Sequence, residues 1–324
     1  MLLFNFFKTP YSHAQNGLLP TKANSVAFFP HQTDSFPLQL IDSSTIFKKR
    51  GYLIAGLHTA SYAGTLAILG TTWYNDYPKA PFHVFNDSRE WLQMDKAGHA
   101  WTAYSIAKYS TALWQWSGVP HRKAVWLGGL SSVGYQTILE WLDAHSSEWG
   151  WSWADMSANT FGAALFTAQE LAWKQQRILL KFSSFPQQHD AVLQQRADDL
   201  FGNRFQERLL KDYNSQTYWA SVNLKSFLGN AFPAWLNLAV GYGATGMYGG
   251  FENIAYDKIG VLIFDRRDIE RVRQWYLSPD VDWTQIKTTK KGIRTLLSLM
   301  NMIKIPAPAL ELSRGKLKAH WLSF

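Results

Sequence analysis

A bundle of about four helices, followed by an α+β region with a few antiparallel strands, is the fold class that this chain of 324 residues predicts. Two observations carry that expectation. Between 46 and 177 long apolar stretches with helical character follow one another, with charge gathered at their ends apart from Lys108 in the second. Beyond 178 the pattern turns polar, and short runs of alternating character appear. Composition agrees that part of the surface faces something other than water. Only 17% of the residues are charged and 15% are aromatic, with 16 tryptophans, whereas about a quarter of a soluble domain is normally charged.

The start, MLLFNFFKTPYSHA (1–14), has a short apolar run before Ser12-His13-Ala14, the outline of a signal peptide without its basic leader. Residues 15–45, rich in Pro, Ser, Thr and Asn, read as an extended leader. The stretch 52–74 has no formal charge and follows Lys48-Lys49-Arg50, so its length suits a membrane span of about 20 residues. Further helices are expected over 97–116, 123–142 and 155–173. The uncharged cores of the last two, 124–139 and 156–169, are short for spans, so buried core helices compete with membrane spans there. Gly128, Gly129, Ser131, Ser132 and Gly134, then Ala158, Gly162, Ala163 and Ala164, predict close helix packing in either medium.

Charge placement sharpens the topology. Lys48, Lys49 and Arg50 precede the first stretch, Arg122 and Lys123 lie between the second and third, and Lys174, Arg177 and Lys181 follow the fourth. Glu140, Asp143, Glu148 and Asp155 lie between the third and fourth with no basic residue among them. Under the positive-inside rule this predicts four spans with both ends cytoplasmic, which conflicts with a cleaved signal peptide. Ten tryptophans between Trp73 and Trp173 fall near helix ends, where they either mark a membrane interface or pack under loops.

Chemistry is expected where helices meet loops. Asp95 and Lys96 open the second helix, where Asp95 can cap it, and His99 lies one turn on. Glu140 and Asp143 close the third on one face, and Asp155 and Asn159 open the fourth on one face. If these helices are antiparallel, the three groups meet at one end of the bundle. Such a cluster suits acid–base work, with His99, Asp95, Lys96 and Asp155 as catalytic candidates. It also suits a divalent cation, with His99, Glu140 and Asp155 as ligand candidates, or a polar headgroup. The bland alternative makes Asp95 and Asp155 helix caps, pairs Lys96 with an acid, and has His99 and Asn159 satisfy loop carbonyls.

Asp-Lys-x-x-His at 95–99, Glu140 ending an apolar helix, and WSWADMSANTFGA at 151–163 together resemble the YfiM-like family of predicted envelope proteins, domain of unknown function 2279. The same outline over 46–175 is similar to VanZ-like membrane proteins, but 144–150 (AHSSEWG) lacks the arginine that those usually place there. The resemblance implies an envelope location and membrane association, and names no reaction.

In the second half a helix is expected over 191–212, and strands over 217–228 and 234–247. The glycine-rich 241–250 lacks phosphate-loop spacing and reads as a small-residue strand lying close against a helix. A strand with a bend at Pro279 (275–286), a helix (289–303) and a terminal hairpin turning at Arg314-Gly315 complete the chain. Four or five strands are too few for a single-chain barrel, which needs about eight.

Zero cysteine removes disulfides, zinc–thiolate sites, iron–sulfur clusters, a thiol nucleophile and a lipidated cysteine from consideration. The net charge of +8 is scattered outside any nucleic-acid module, so the expected partners are the lipid membrane and other envelope proteins, not nucleic acid. No motif assigns a cofactor. Three functions follow: a structural or partner-binding envelope membrane protein, a membrane-embedded hydrolase or transferase acting on a lipid or lipid-linked substrate, or a soluble periplasmic binding module.

Overall fold

The computed structural model describes residues 43–69, 78–257 and 259–323. The signal-peptide reading, nearly all of the leader, Trp73 and the end of the first apolar stretch lie outside the described residues.

Helices α1 (Ser43–Leu69), α2 (Met94–Trp116), α3 (His121–Asp143) and α4 (Trp153–Trp173) stand where apolar stretches predict helices. α2 packs on both α3 and α4, and small residues set how closely. A Cβ on Gly162 would lie 2.0 Å from the Ala100 carbonyl oxygen, and one on Gly128 2.7 Å from that of Ala107. Ser132 donates to the Ala103 carbonyl at 2.7 Å. Ala103, Tyr104, Ala107, Ala163 and Phe166 form the core of this packing. α1 is mostly exposed and leans on the bundle through His58, which bonds Ser110 at 2.8 Å and stacks on Trp114.

Among the described residues no helix is long and apolar enough to cross a membrane, which corrects the four-span expectation. The physical reason is that absence of charge is not hydrophobicity. Ser105, Ser110, Thr111, Ser132, Gln136, Thr167 and Gln169 are buried polar residues within α2–α4, and Ser110, Ser132, Gln136 and Gln169 hydrogen-bond to neighbouring elements instead of facing hydrocarbon. Tryptophan follows neither single reading: Trp141 and Trp153 are exposed, while Trp91 and Trp101 pack against rings of Tyr213 and Phe182.

The mainly α expectation is corrected as well. Six strands form one antiparallel sheet: β1 (Ile178–Ser184), β2 (Gln216–Asn223), β3 (Leu236–Thr245), β6 (Val272–Val281), β7 (Ala307–Ser313) and β8 (Lys316–Ser323), in the order β1-β2-β3-β6-β7-β8. A small hairpin, β4 (Ile254–Tyr256) with β5 (Leu262–Asp265), stands apart from it. The 191–212 helix is two helices, α5 (Ala191–Phe201) and α6 (Phe205–Lys211), because Gly202 turns between them at φ +78°. The 217–228 strand ends at Asn223, whose side chain caps the short helix α7 (Leu224–Leu228) by accepting from the Ser226 amide. Pro279 makes no break: it lies in β6 opposite Leu238, beyond the last β6–β7 pair at Leu277 and Leu310. Gly241 lies close against the Trp219 ring of the neighbouring strand, not against a helix. α8 (Lys291–Met300) and the β7–β8 turn stand where expected, with Arg314 and Gly315 both left-handed as a type I′ turn requires.

The sheet's polarity is inverted. Its inner face buries Lys181, Ser221, Asn223, Asn237, Asp280 and Glu311, while its outer face carries Leu238, Val240, Trp275, Leu277, Leu310 and Leu312 exposed. Inside, Lys181 Nζ stands 2.7 Å from Asp280, which also accepts from Ser221 at 2.6 Å, and Asn237 donates to Ser221 at 2.9 Å. The helices cover the outer face over β1, β2 and the Ala244 end of β3: Leu180 joins the bundle core, Phe182 packs on Trp101 and Ala244 packs with Met94.

Candidate functional site

The start of α2, the end of α3 and the start of α4 meet at one end of the bundle. The two loops 79–87 and 144–152 run beside each other there, bridged at Lys79 with Ser146 and Val84 with Trp151, which brings Asp87 to Ser152. α2 enters through three consecutive left-handed residues, Trp91 (φ +47°), Leu92 (+52°) and Gln93 (+66°). Such conformations cost on the order of 1 kcal/mol or more each and persist only when the surroundings hold them. Here Trp91 donates to the Gly250 carbonyl at 2.7 Å, Tyr242 donates to the Leu92 carbonyl, and Arg273 donates to the Gln93 side chain at 2.7 Å. The sheet and its loops thus fix the entry of α2, and with it the direction of Asp95, Lys96 and His99.

Lys96 is the hub. Its ammonium stands 2.6 Å from Asp87, 2.7 Å from Asp95 and 2.7 Å from Asp155, so one cation faces three acidic side chains and donates to Asp95. Asp95 and Asp155 are therefore ion-pair residues and not helix caps. The residue at the α2 cap is Gln93, and the α4 cap is Ser152, which accepts from the Asp155 amide at 3.0 Å. One turn along α2, His99 Nδ1 lies 3.1 Å from Asn159 Oδ1, which also accepts from Gln136 at 2.6 Å. His99 Nε2 lies 3.6 Å from Asp155 Oδ1, and its Nδ1 lies 4.0 Å from Glu140. Glu140 is 1% exposed and accepts from the Ser152 amide at 3.3 Å.

Asp95, Lys96, His99, Glu140, Asp155 and Asn159 thus share one polar network, and Asp143 lines the same pocket. Asp87, Glu90, Gln136, Ser152 and Tyr213 were not singled out from sequence. Gln136 had a signal, since it stands one turn before Glu140 on α3; Asp87 and Glu90 lie in a loop and a turn and had none.

Carboxylates outnumber cations here, and burial magnifies the excess. Burial, with the charges of Asp95 and Asp87, lifts Glu90 to about 7. Burial lifts Glu140 to about 7 against the pull of His99. Burial, with Asp95 and a hydrogen bond shared with Asp87, lifts Asp155 to about 8, while Asp87 is held below its ordinary value through its bonds to Asp155, Lys96 and Ser152 despite its burial. The Asp87–Asp155 pair shares a proton, with Asp87 the ionised partner. Burial pushes His99 down, but Asp155, Asp95 and Glu140 together raise it above its ordinary value. Protons therefore exchange at this site near neutral pH.

Asp95, His99 and Asp155 each bring one ligand atom within 4.8 Å of the others, the spacing of a metal group. Lys96 already stands 2.7 Å from both aspartates, so an added divalent cation would meet an ammonium at its centre. The donor set thus fits an internally neutralised acid–base cluster better than a metal site. Glu140 lies outside that spacing.

Two cavities meet at His99. One, of about 330 Å³, is lined by Asp87, Glu90, Asp95, Asp143 and Asp155. The other, of about 650 Å³, is lined by Trp101, Phe182, Leu209, Leu299, Met302 and Ile303. His99, Asp95, Leu139 and Tyr213 belong to both walls. Beside them Asp95 Oδ1, Glu140 Oε1 and Asn159 Nδ2 are buried without a hydrogen-bond partner.

Fold and site together define an α+β protein in which a helical bundle and an inverted antiparallel sheet enclose an acid–histidine site. Residues 84–169, about a quarter of the chain, match the model of the family described as "Predicted periplasmic lipoprotein (DUF2279)". That segment holds every residue of the network on α2–α4, and the match agrees with the resemblance carried by 95–99, Glu140 and 151–163. No curated protein and no solved structure matches the chain. The family description supports association with the cell envelope. None of the 324 residues is a cysteine, so a thioether-linked lipid has no attachment point among them.

Proposed function

We propose that this envelope-associated protein takes up an amphiphilic, lipid-like molecule, with the apolar tail in the larger cavity and the polar head at His99. The observation that carries this reading is the shared wall: one histidine stands between an apolar cavity of about 650 Å³ and a carboxylate-lined one. Ligand cavities of about 300–1,000 Å³ with a few convergent polar groups are typical of small-molecule sites. The unpartnered Asp95 Oδ1, Glu140 Oε1 and Asn159 Nδ2 support it further, because buried polar atoms ordinarily have partners and a bound head would supply them.

The experiment is titration of the full chain with a fluorescent acyl-chain probe. Met302→Trp narrows the tail cavity and abolishes uptake in this reading, while His99→Gln weakens uptake of a probe with a polar head and spares a headless alkyl probe. Equal uptake by wild type and Met302→Trp would defeat the proposal.

A second reading, chemistry on the head, is favoured by the convergence of Asp155 and Glu140 on His99. In it His99 acts as acid–base group on a lipid or lipid-linked substrate. Incubation with extracted envelope lipids, followed by mass spectrometry, distinguishes the two. Product formed by wild type and lost in His99→Gln with retained uptake supports catalysis. Unchanged lipids leave binding alone.

A further inference from the structure

From the inverted sheet we infer that the outer face of β3, β6, β7 and β8 seats in the hydrocarbon of an anionic bilayer. The pairing arranges this face in rows. Tyr242, Trp275, Leu312 and Leu317 form one, Val240, Leu277, Leu310 and Ala319 the next, and Leu238 with Pro279 a third beside the exposed Trp321. No charged residue stands in these rows. In water a sheet exposed on one side turns its polar residues outward and buries its apolar ones. Here Lys181, Asp280, Ser221 and Glu311 are inside and the leucines outside.

Slippage does not explain the inversion. A one-residue shift would exchange the faces, and the buried Lys181–Asp280 pair at 2.7 Å locks the register against it. Apolar-out and polar-in alternation is the pattern of strands that face lipid.

Charge at the rim selects the bilayer. One step beyond the Tyr242–Trp275 row, the outward residue is Arg273, and the β7–β8 turn at the same end carries exposed Lys316 and Arg314, the latter paired with Glu270 at 2.9 Å. Aromatic rings followed by basic groups match the headgroup level of an anionic leaflet. The inference rests on the membrane-associated reading of this protein but not on what the cavity binds.

The test uses the full chain, purified in detergent and mixed with phosphatidylcholine–phosphatidylglycerol vesicles. Because the chain has no cysteine, Val240→Cys, Leu277→Cys and Leu310→Cys each accept a single environment-sensitive fluorophore. Flotation with the vesicles and quenching of all three labels by doxyl lipids are the expected results. The double variant Leu277→Asp, Leu310→Asp should lose vesicle affinity by at least about tenfold, since charge on a lipid-facing strand is costly. It should keep acyl-probe uptake, which separates this inference from the cavity reading. Flotation without quenching, no flotation, or label quenching between copies without lipid would each overturn it, the last by assigning the face to a second copy of the chain.

Discussion

Lys96 Nζ stands 2.7 Å from Asp155 Oδ1, and that single contact ties the first turn of α2 to the first turn of α4. The same ammonium holds Asp87 at 2.6 Å, so one side chain joins two helices and a loop. Removing it leaves Asp87 and Asp95 without their cation beside the protonated Asp155, in a site with little water. Lys96→Met should therefore destabilise the protein by about 3–5 kcal/mol at neutral pH, the cost of leaving buried charges unpaired. Urea denaturation measures this, and the loss should shrink at acid pH, where the carboxylates are neutral. An unchanged midpoint would mean that the triad contributes nothing.

The site should make stability fall as pH rises. Asp155 and Glu140 keep their protons to about 8 and about 7 in the folded chain, against ordinary values of 3.8 and 4.5. Between those limits the folded state binds more protons than the unfolded one, so stability declines from about pH 4 to pH 8. His99 adds the same sign: its contribution is complete below about 6.5 and is lost above its raised folded value. Asp87, held low, opposes this only below its ordinary 3.8. Glu140→Gln should remove on the order of 3 kcal/mol of that slope. Thermal melts from pH 5 to 8 should fall less steeply for the variant than for wild type.

Helix packing makes an opposite pair of predictions for two glycines. Gly162→Ala places a methyl group against the Ala100 backbone, which has no flexible side chain to move aside. A loss of about 1–3 kcal/mol is expected from this overpacking. Gly134, in the same bundle, has nothing within 4 Å of its would-be Cβ. Gly134→Ala should stabilise by about 0.5–1 kcal/mol through helix propensity. Chemical denaturation of the two variants side by side checks both signs.

The interior of the sheet offers a fourth test. Asp280→Ala strips the buried Lys181 of its partner and Ser221 of its acceptor. A loss of about 3–5 kcal/mol follows. Replacing both members, as Lys181→Met with Asp280→Leu, should restore much of it, because a well-packed apolar pair avoids the desolvation of both charges. A double variant as unstable as the single one would contradict this account.

Long apolar stretches and the charges at their ends made the bundle legible. Helices expected over 97–116, 123–142 and 155–173 stand at Met94–Trp116, His121–Asp143 and Trp153–Trp173, because such stretches are local properties of the chain. A count of charges over-reads membrane spans there, since uncharged Ser and Gln look apolar to it but form buried hydrogen bonds. β1 was missed because Ile178–Ser184 carries Lys181 at its centre, and only the distant Asp280 makes that lysine a buried residue.

By itself the sequence determined three helix ends that carry Asp95, Lys96 and His99, then Glu140 and Asp143, then Asp155 and Asn159. Those are matters of spacing along a helix. The pairing of Lys96 with an acid was legible as well, but tertiary structure decided that both Asp95 and Asp155 face it, that Asp87 joins them, and that His99 parts an acidic cavity from an apolar one. It also decided which face of the alternating strands turns inward. Alternation sets two faces and gives no preference between them. The buried partners Lys181, Ser221 and Asp280 come from three strands, and only their meeting in space makes the polar face the inner one.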